Sequence, residues 1–296
     1  MIIDVHTHPP QYRGEIPEDK IVYNDVWRPD RSVKAVYNWD DFLKGQSIAD
    51  KSITFNIAWK PSSEASGGLE ARHNVGDLPG NFNDATAAFV STYPDKLIGF
   101  MALHPHDPNL LDEFERCRVD LGMKGIKLGA NYQNFDPLET RALKIYELAQ
   151  RYDMPILFHQ GTSPVRMAPI TYSHPLIMDE VAMRYPDLKM ILAHMGHPWT
   201  ADCSVVIRKH PNLYADVSAL IYRPWGFYEA LTRATEWKVL DKLMLGSDYP
   251  VTTAEETINA LRNVNSIVEG TNLPRIPEDK IEEIIHRDSL ALLGLD

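Results

Sequence analysis

Short apolar, β-branched runs recur along the whole chain, separated by stretches with helical spacing. They cover residues 2–6, 52–58, 97–103, 124–128, 155–159, 189–194, 212–217 and 242–248. Runs of this length bounded by turn formers predict strands. Between them, 83–93 spaces Ala85, Ala88, Phe89 and Val90 at helical intervals. The segment 109–121 does the same with Leu110, Phe114, Cys117 and Leu121, and 138–152 with Ala142, Ile145, Leu148 and Ala149. Residues 174–185 and 254–268 share the period, and 277–293 reads as a closing helix. Pro94, Pro155, Pro186, Pro211 and Pro274 stand near the expected helix ends.

Eight strands alternating with helices predict an α/β fold, a (β/α)8 TIM barrel. No Gly-x-Gly-x-x-Gly turn follows an early strand, which weighs against a dinucleotide-binding open sheet. The length of 296 residues then reads as one barrel domain over 1–296. Two long connections, about 9–30 and 61–80, follow the first two strands and are expected at the rim where barrel sites form.

The strand ends carry the candidate chemistry. In IIDVHTH, alternation puts Asp4, His6 and His8 on one face, expected inward, with Ile3 and Val5 opposite. PILFHQG ends on His159 with Leu157 on its face; KMILAHMGH reaches His194 with Leu192 on its face; LMLGSDYP reaches Asp248 with Gly246 on its face. A lone His-x-His is weak, but four polar strand ends at one rim point to a shared centre. Imidazoles with one carboxylate suit zinc, or else manganese, iron or cobalt. In MKGIKLG the same alternation turns Lys127 inward, where an ammonium is costly without a partner.

This set resembles the amidohydrolase superfamily. The phrases LFHQG, LAHMGHP and GSDYP resemble its amidohydrolase-related branch, which contains aminocarboxymuconate-semialdehyde decarboxylase-like metal-dependent enzymes. The resemblance implies His6, His8, His159 and Asp248 as metal ligands, with Asp248 also shuttling a proton and His194 a catalytic acid–base or electrostatic partner near a metal-bound water. It also implies that dimers are common on this fold. Lys127 reads first as a contact to a substrate carboxylate, second as a carboxylated lysine bridging two metals, third as a structural ion pair. Arg223 and Trp225 after strand 7, Arg13 in the first long loop and His197 are further candidate substrate contacts. His104 and His106 either line the mouth or shape a proline turn, His73 lies on the second long loop, His174 suits a helix start, and His210 and His286 read as surface residues.

Charge and composition narrow the partners. Lys and Arg total 30 against 41 Asp and Glu, a net charge of −11, which argues against nucleic acid and anionic membrane and leaves a small-molecule substrate. No run of about 18 apolar residues appears, the start MIIDVHTH lacks a secretory pattern, and the two cysteines read as unpaired thiols, so a cytoplasmic location is expected. Hydrolysis of a C–N or C–O bond by metal-activated water is the first reading. Non-oxidative decarboxylation of an aromatic or muconate-type acid is the alternative. A non-catalytic metal-binding barrel comes last, because no ligand of the set is missing.

Overall fold

The computed structural model describes residues 1–58, 76–78 and 80–295. Eight parallel strands form one sheet: β1 (Ile3–Thr7), β4 (Lys51–Thr54), β5 (Leu97–Ala102), β6 (Gly125–Leu128), β7 (Ile156–Phe158), β8 (Met190–Leu192), β9 (Leu213–Asp216) and β10 (Leu243–Met244), in that order. The sheet curls round until its ends meet. Val5 N–H donates to the Leu245 carbonyl at 2.9 Å, Asp248 N–H to that of His6 at 2.8 Å, and His8 N–H to that of Tyr249 at 3.0 Å. All eight predicted strands are therefore present, as a TIM barrel.

The first long connection is not a bare loop. It holds a small antiparallel ribbon, β2 (Tyr23–Asn24) with β3 (Val33–Lys34), and leads into α1 (Trp39–Gly45). The second long connection lies largely outside the described residues, and His73 with it. The predicted helices appear as α2 (Phe82–Thr92), α3 (Leu110–Val119), α5 (Thr140–Arg151), α6 (Ile177–Arg184) and α9 (Ala254–Asn263). Capping boxes start α1, α2 and α9, on Asn38 with Asp41, Asn81 with Asp84, and Thr253 with Glu256. A short α4 (Ala130–Gln133), α7 (Thr200–Lys209) and α8 (Pro224–Glu236) complete the ring. The expected closing helix is two pieces, α10 (Glu278–Ile285) and α11 (Ser289–Leu293), because the Asp288 carboxylate caps a new start by accepting Ala291 N–H at 3.1 Å.

The core has two layers. Ile126, Leu128, Ile156, Phe158, Leu192, Ala215 and Leu245 face outward and pack with the helices. Ile3, Val5, Ile53, Phe55, Phe100, Leu157, Ile191, Tyr214 and Met244 fill the barrel, and Leu290 and Leu293 of α11 pack into the same cluster. With the interior filled by apolar side chains, the polar groups are gathered at the strand ends.

Candidate metal centre

Strand alternation places three of the rim groups as the sequence predicts. Leu157 is interior and its neighbours Ile156 and Phe158 are not, so His159 follows inward. Ile126 and Leu128 face out, which leaves Lys127 inside and 1% exposed. Leu245 faces out, and a Cβ at Gly246 would lie 3.1 Å from that of His6, so the path to Asp248 runs inside.

His6 and His194 arrive by local irregularities instead, which corrects the expected faces. Asp4 pairs with Ser52 but Thr7 pairs with Thr54, so β1 carries one extra residue, a bulge. Ile3 and Val5, expected opposite His6, lie in the interior cluster. Asp4 is fully buried, accepting the N–H groups of His6 and Ser247 at 3.0 Å each. On β8, Leu192 faces out and Ile191 and Ala193 face in, the reverse of the prediction. His194 turns inward because it and Met195 adopt left-handed backbone, with φ of 58° and 47°. For non-glycine residues that conformation costs about 1–2 kcal/mol each. Ala219 and Asp248, which also line the site, have φ of 55° and 62°. Clustering of such positions is typical of functional sites.

The four imidazoles share one logic. Each has a nitrogen committed to a group that can only accept. His6 Nδ1 donates to Asp216 Oδ2 at 2.8 Å and His8 Nδ1 to the Phe55 carbonyl at 3.1 Å. His159 Nε2 donates to the Thr162 carbonyl at 3.2 Å, and His194 Nδ1 to the Ser218 carbonyl at 3.2 Å. These bonds assign the tautomers, and the remaining nitrogens present lone pairs to the cavity. His6 Nε2 and His8 Nε2 stand 3.3 and 3.2 Å from the same Asp248 oxygen. His159 Nδ1 faces His194 Nε2 at 3.3 Å. Converging lone pairs and a carboxylate repel one another unless positive charge lies among them, so the donor set fits a divalent cation. His6, His8 and Asp248 form one potential ligand group; His6, His194 and Asp216 form another, but Asp216 is bonded to the outer nitrogen of His6.

Burial is the largest influence on every group here. It favours a neutral Asp248, yet the His6 and His8 rings beside it, when protonated, and the charge of His194 hold that carboxyl well below its usual range. Asp216 is likewise held low, by His6 and His194, against burial. Burial lowers His8, drives His159 well down and brings His194 to about 4, favouring the neutral imidazoles that bind metals. For His6, burial and Lys127 are outweighed by Asp216 and Asp248, and its pKa rises. Burial lowers Lys127 to about 7 against the pull of Asp248 and Asp216. Its Nζ lies 3.5 Å from His6 Nε2 and 4.4 Å from the centre of the Phe55 ring.

A cavity of about 280 Å³ opens above these groups. His197 and Arg223 line it, and so does Tyr132, whose ring lies 4.5 Å from that of His159. Arg13 and Trp225 do not line it, contrary to expectation. The Arg13 guanidinium stands over Trp39, and Trp225 is 58% exposed beside Tyr228. His104 and His106 shape the turn, bonded to the Gln133 carbonyl and to Glu139. His210, expected at the surface, is largely buried against Asp179. Sequence reasoning missed Asp216 and Ser218. Asp216 follows inward Tyr214 by two residues at the end of β9, so the rule that found His159 also reaches it.

A parallel barrel with a His/Asp cluster at its rim thus defines the class. Residues 3–286 match the family described as amidohydrolase, and the chain belongs to that family. It is 24% identical over 306 residues to 2-amino-3-carboxymuconate-6-semialdehyde decarboxylase of Dictyostelium discoideum, covering 92% of this chain and 78% of that one. A dihydroxybenzoic acid decarboxylase from Polaromonas sp. JS666, solved with bound manganese and the inhibitor 2-nitroresorcinol, superposes with a TM-score of 0.61 at 17% identity, over 99% of this chain and 97% of that one. A probable 2-pyrone-4,6-dicarboxylic acid hydrolase from Acinetobacter baumannii, solved with citric acid bound, gives a TM-score of 0.61 at 14% identity, over 99% of each chain. No helix among the described residues is long and apolar enough to cross a membrane.

Proposed function

We propose that this amidohydrolase is a metal-dependent, non-oxidative decarboxylase of a small planar carboxylic acid. The observation that carries this reading is Lys127. It is 1% exposed, with no carboxylate within ion-pair distance among the described residues, beside the inward lone pairs. A buried amine so placed calls for an anionic ligand. The cavity is of the size that takes a benzoate-like molecule. The similarity to the muconate-semialdehyde decarboxylase supports this choice over hydrolysis, the first expectation from sequence.

In this reading His6, His8, His159 and Asp248 hold one divalent ion, with zinc or manganese the leading candidates. When bound, the ion polarises substrate oxygens and stabilises the negative charge that develops beside them. Lys127 takes the carboxylate, and Arg223 and His197 hold a second polar group at the mouth. As the C–C bond breaks, its electron pair stays on the carbon that bore the carboxylate; that carbon gains a proton and CO2 leaves. Asp248 accepts a proton from a substrate hydroxyl on binding and returns it to carbon, while His194 orients the reacting group. A carboxylated Lys127 bridging two ions is disfavoured, because the Phe55 ring beneath Nζ would face a negative carbamate with its negative π-face. Hydrolysis remains the second reading, since the Acinetobacter neighbour bears a hydrolase name on the same fold.

The test is elemental analysis of the purified protein, followed by a CO2-release assay on hydroxybenzoates and carboxymuconate semialdehydes. CO2 release that a chelator abolishes and manganese or zinc restores is expected. Hydrolysis of 2-pyrone-4,6-dicarboxylate without CO2 release from any acid would return the hydrolytic reading. A protein that binds no divalent ion would overturn the ligand assignment.

A further inference from the structure

Asp216 and Ser218 touch both ends of the centre at once. Asp216 Oδ2 accepts His6 Nδ1–H at 2.8 Å. Its other oxygen accepts the backbone N–H of His194 at 2.9 Å, the N–H of Ser218 at 3.1 Å and the Ser218 hydroxyl. Because that hydroxyl's one proton goes to Asp216, its oxygen can only accept towards the rings. It lies 2.8 Å from His194 Nδ1 and 3.3 Å from His6 Nδ1. Asp216, Ser218 and His6 are 0%, 0% and 1% exposed, so water does not compete. A Cβ at Gly246 would come within 3.1 Å of His6 Cβ and 3.2 Å of Asp216 and Ser218 Cβ, and the glycine lets the three side chains crowd together.

We propose that Asp216 and Ser218 are a positioning pair that fixes which nitrogen of His6 and of His194 faces the cavity, and so sets how tightly the centre binds a divalent ion. Asp216 touches neither substrate nor the inner nitrogens. It acts through the rings, and through the left-handed turn at His194 whose N–H it holds. Carboxylates bonded to the far nitrogen of a ligating histidine commonly change metal affinity by 10–100-fold. The inference rests on His6 being a ligand in the proposed decarboxylase, but its readouts do not depend on the reaction.

The first measurement needs no variant. Long-range 1H–15N spectra of metal-free protein labelled at histidine nitrogen, taken at alkaline pH where the rings are neutral, should show the Nδ1–H tautomer at His6 and His194; an Nε2–H tautomer at His6 overturns the proposal. The second is Asp216→Asn. The amide can donate to Nδ1, which moves the ring proton to Nε2 and points it at the metal. Zinc affinity by chelator competition should fall about 10–100-fold, with the His6 tautomer reversed. A folded Asp216→Asn protein with unchanged zinc affinity overturns the pair. Should that variant not fold, Ser218→Ala should weaken zinc binding and Ser218→Thr, which keeps the hydroxyl, should restore it; equal affinities in the two overturn the relay. Tight zinc binding without CO2 release would refute the proposed reaction and leave the pair standing.

Discussion

Glu113 offers a quantitative test of how the scaffold behind the site is held. Its carboxylate accepts two bonds from Arg116, at 2.8 and 2.9 Å, one from Asn83 at 2.7 Å and one from Asn81 at 3.1 Å. Asn83 in turn bonds both the carbonyl and the N–H of Ala102 at the end of β5. The cluster therefore ties the starts of α2 and α3 to a barrel strand. Burial raises the Glu113 pKa, and the four hydrogen bonds outweigh it, bringing the value from 4.5 to about 2. A folded pKa below the unfolded one gives stability that is fully present above pH 4.5 and is lost as pH falls towards 2. At 1.36 kcal/mol per unit the shift corresponds to about 3 kcal/mol, and partial solvent access at Arg116 reduces this to about 2 kcal/mol. With an unfolding entropy near 2.1 cal/mol/K per residue, that is about 3 °C in Tm for a chain of this length. Glu113→Gln should thus melt about 3 °C below the parent at pH 7, and by pH 3 the gap should fall to under about half of that, closing only below about pH 2. Calorimetry of the two proteins across that range is the assay. A gap that is the same at both pH values would refute the electrostatic account and leave only lost packing.

Gly246→Ala should lower zinc affinity and activity together, because the methyl group crowds His6, Asp216 and Ser218; such overpacking costs about 1–3 kcal/mol, read by chelator competition and melting. Arg223→Gln should raise KM for an acidic substrate about 10–100-fold with a smaller change in kcat, whereas Trp225→Ala, outside the cavity, should leave both unchanged; steady-state kinetics separates the two. Leu293→Ala should destabilise the protein by about 2–5 kcal/mol in urea unfolding, since Leu293 of α11 is fully buried against the cluster that fills the barrel.

The strands were legible because fully buried β-segments read as short apolar runs, and the rim groups because polar residues ending such runs are conspicuous. His159, Lys127 and Asp248 obeyed simple alternation. His6 and His194 also face inward, but for a geometric reason other than alternation. A bulge and a left-handed turn are backbone choices that side-chain periodicity does not encode. Asp216 is accessible to the same rule, although no histidine motif adjoins it at the end of β9. Helices α7 and α8 carried weaker signals, since Thr200, Ser204, Pro224 and Gly226 interrupt their apolar stripes. Arg13 and Trp225 show the limit of arguing from loop position. Chain order says that a residue is near the rim, not which way it turns.

The left-handed residues around the centre set stability and activity against each other. His194→Gly would relieve about 1 kcal/mol of backbone strain while removing the ring proposed to orient the reacting group. Variants chosen only for resistance to heat would therefore be drawn towards glycine at His194 and Ala219, and selection for turnover would drive them out again. A library built on this barrel should hold those positions fixed and seek its stability elsewhere.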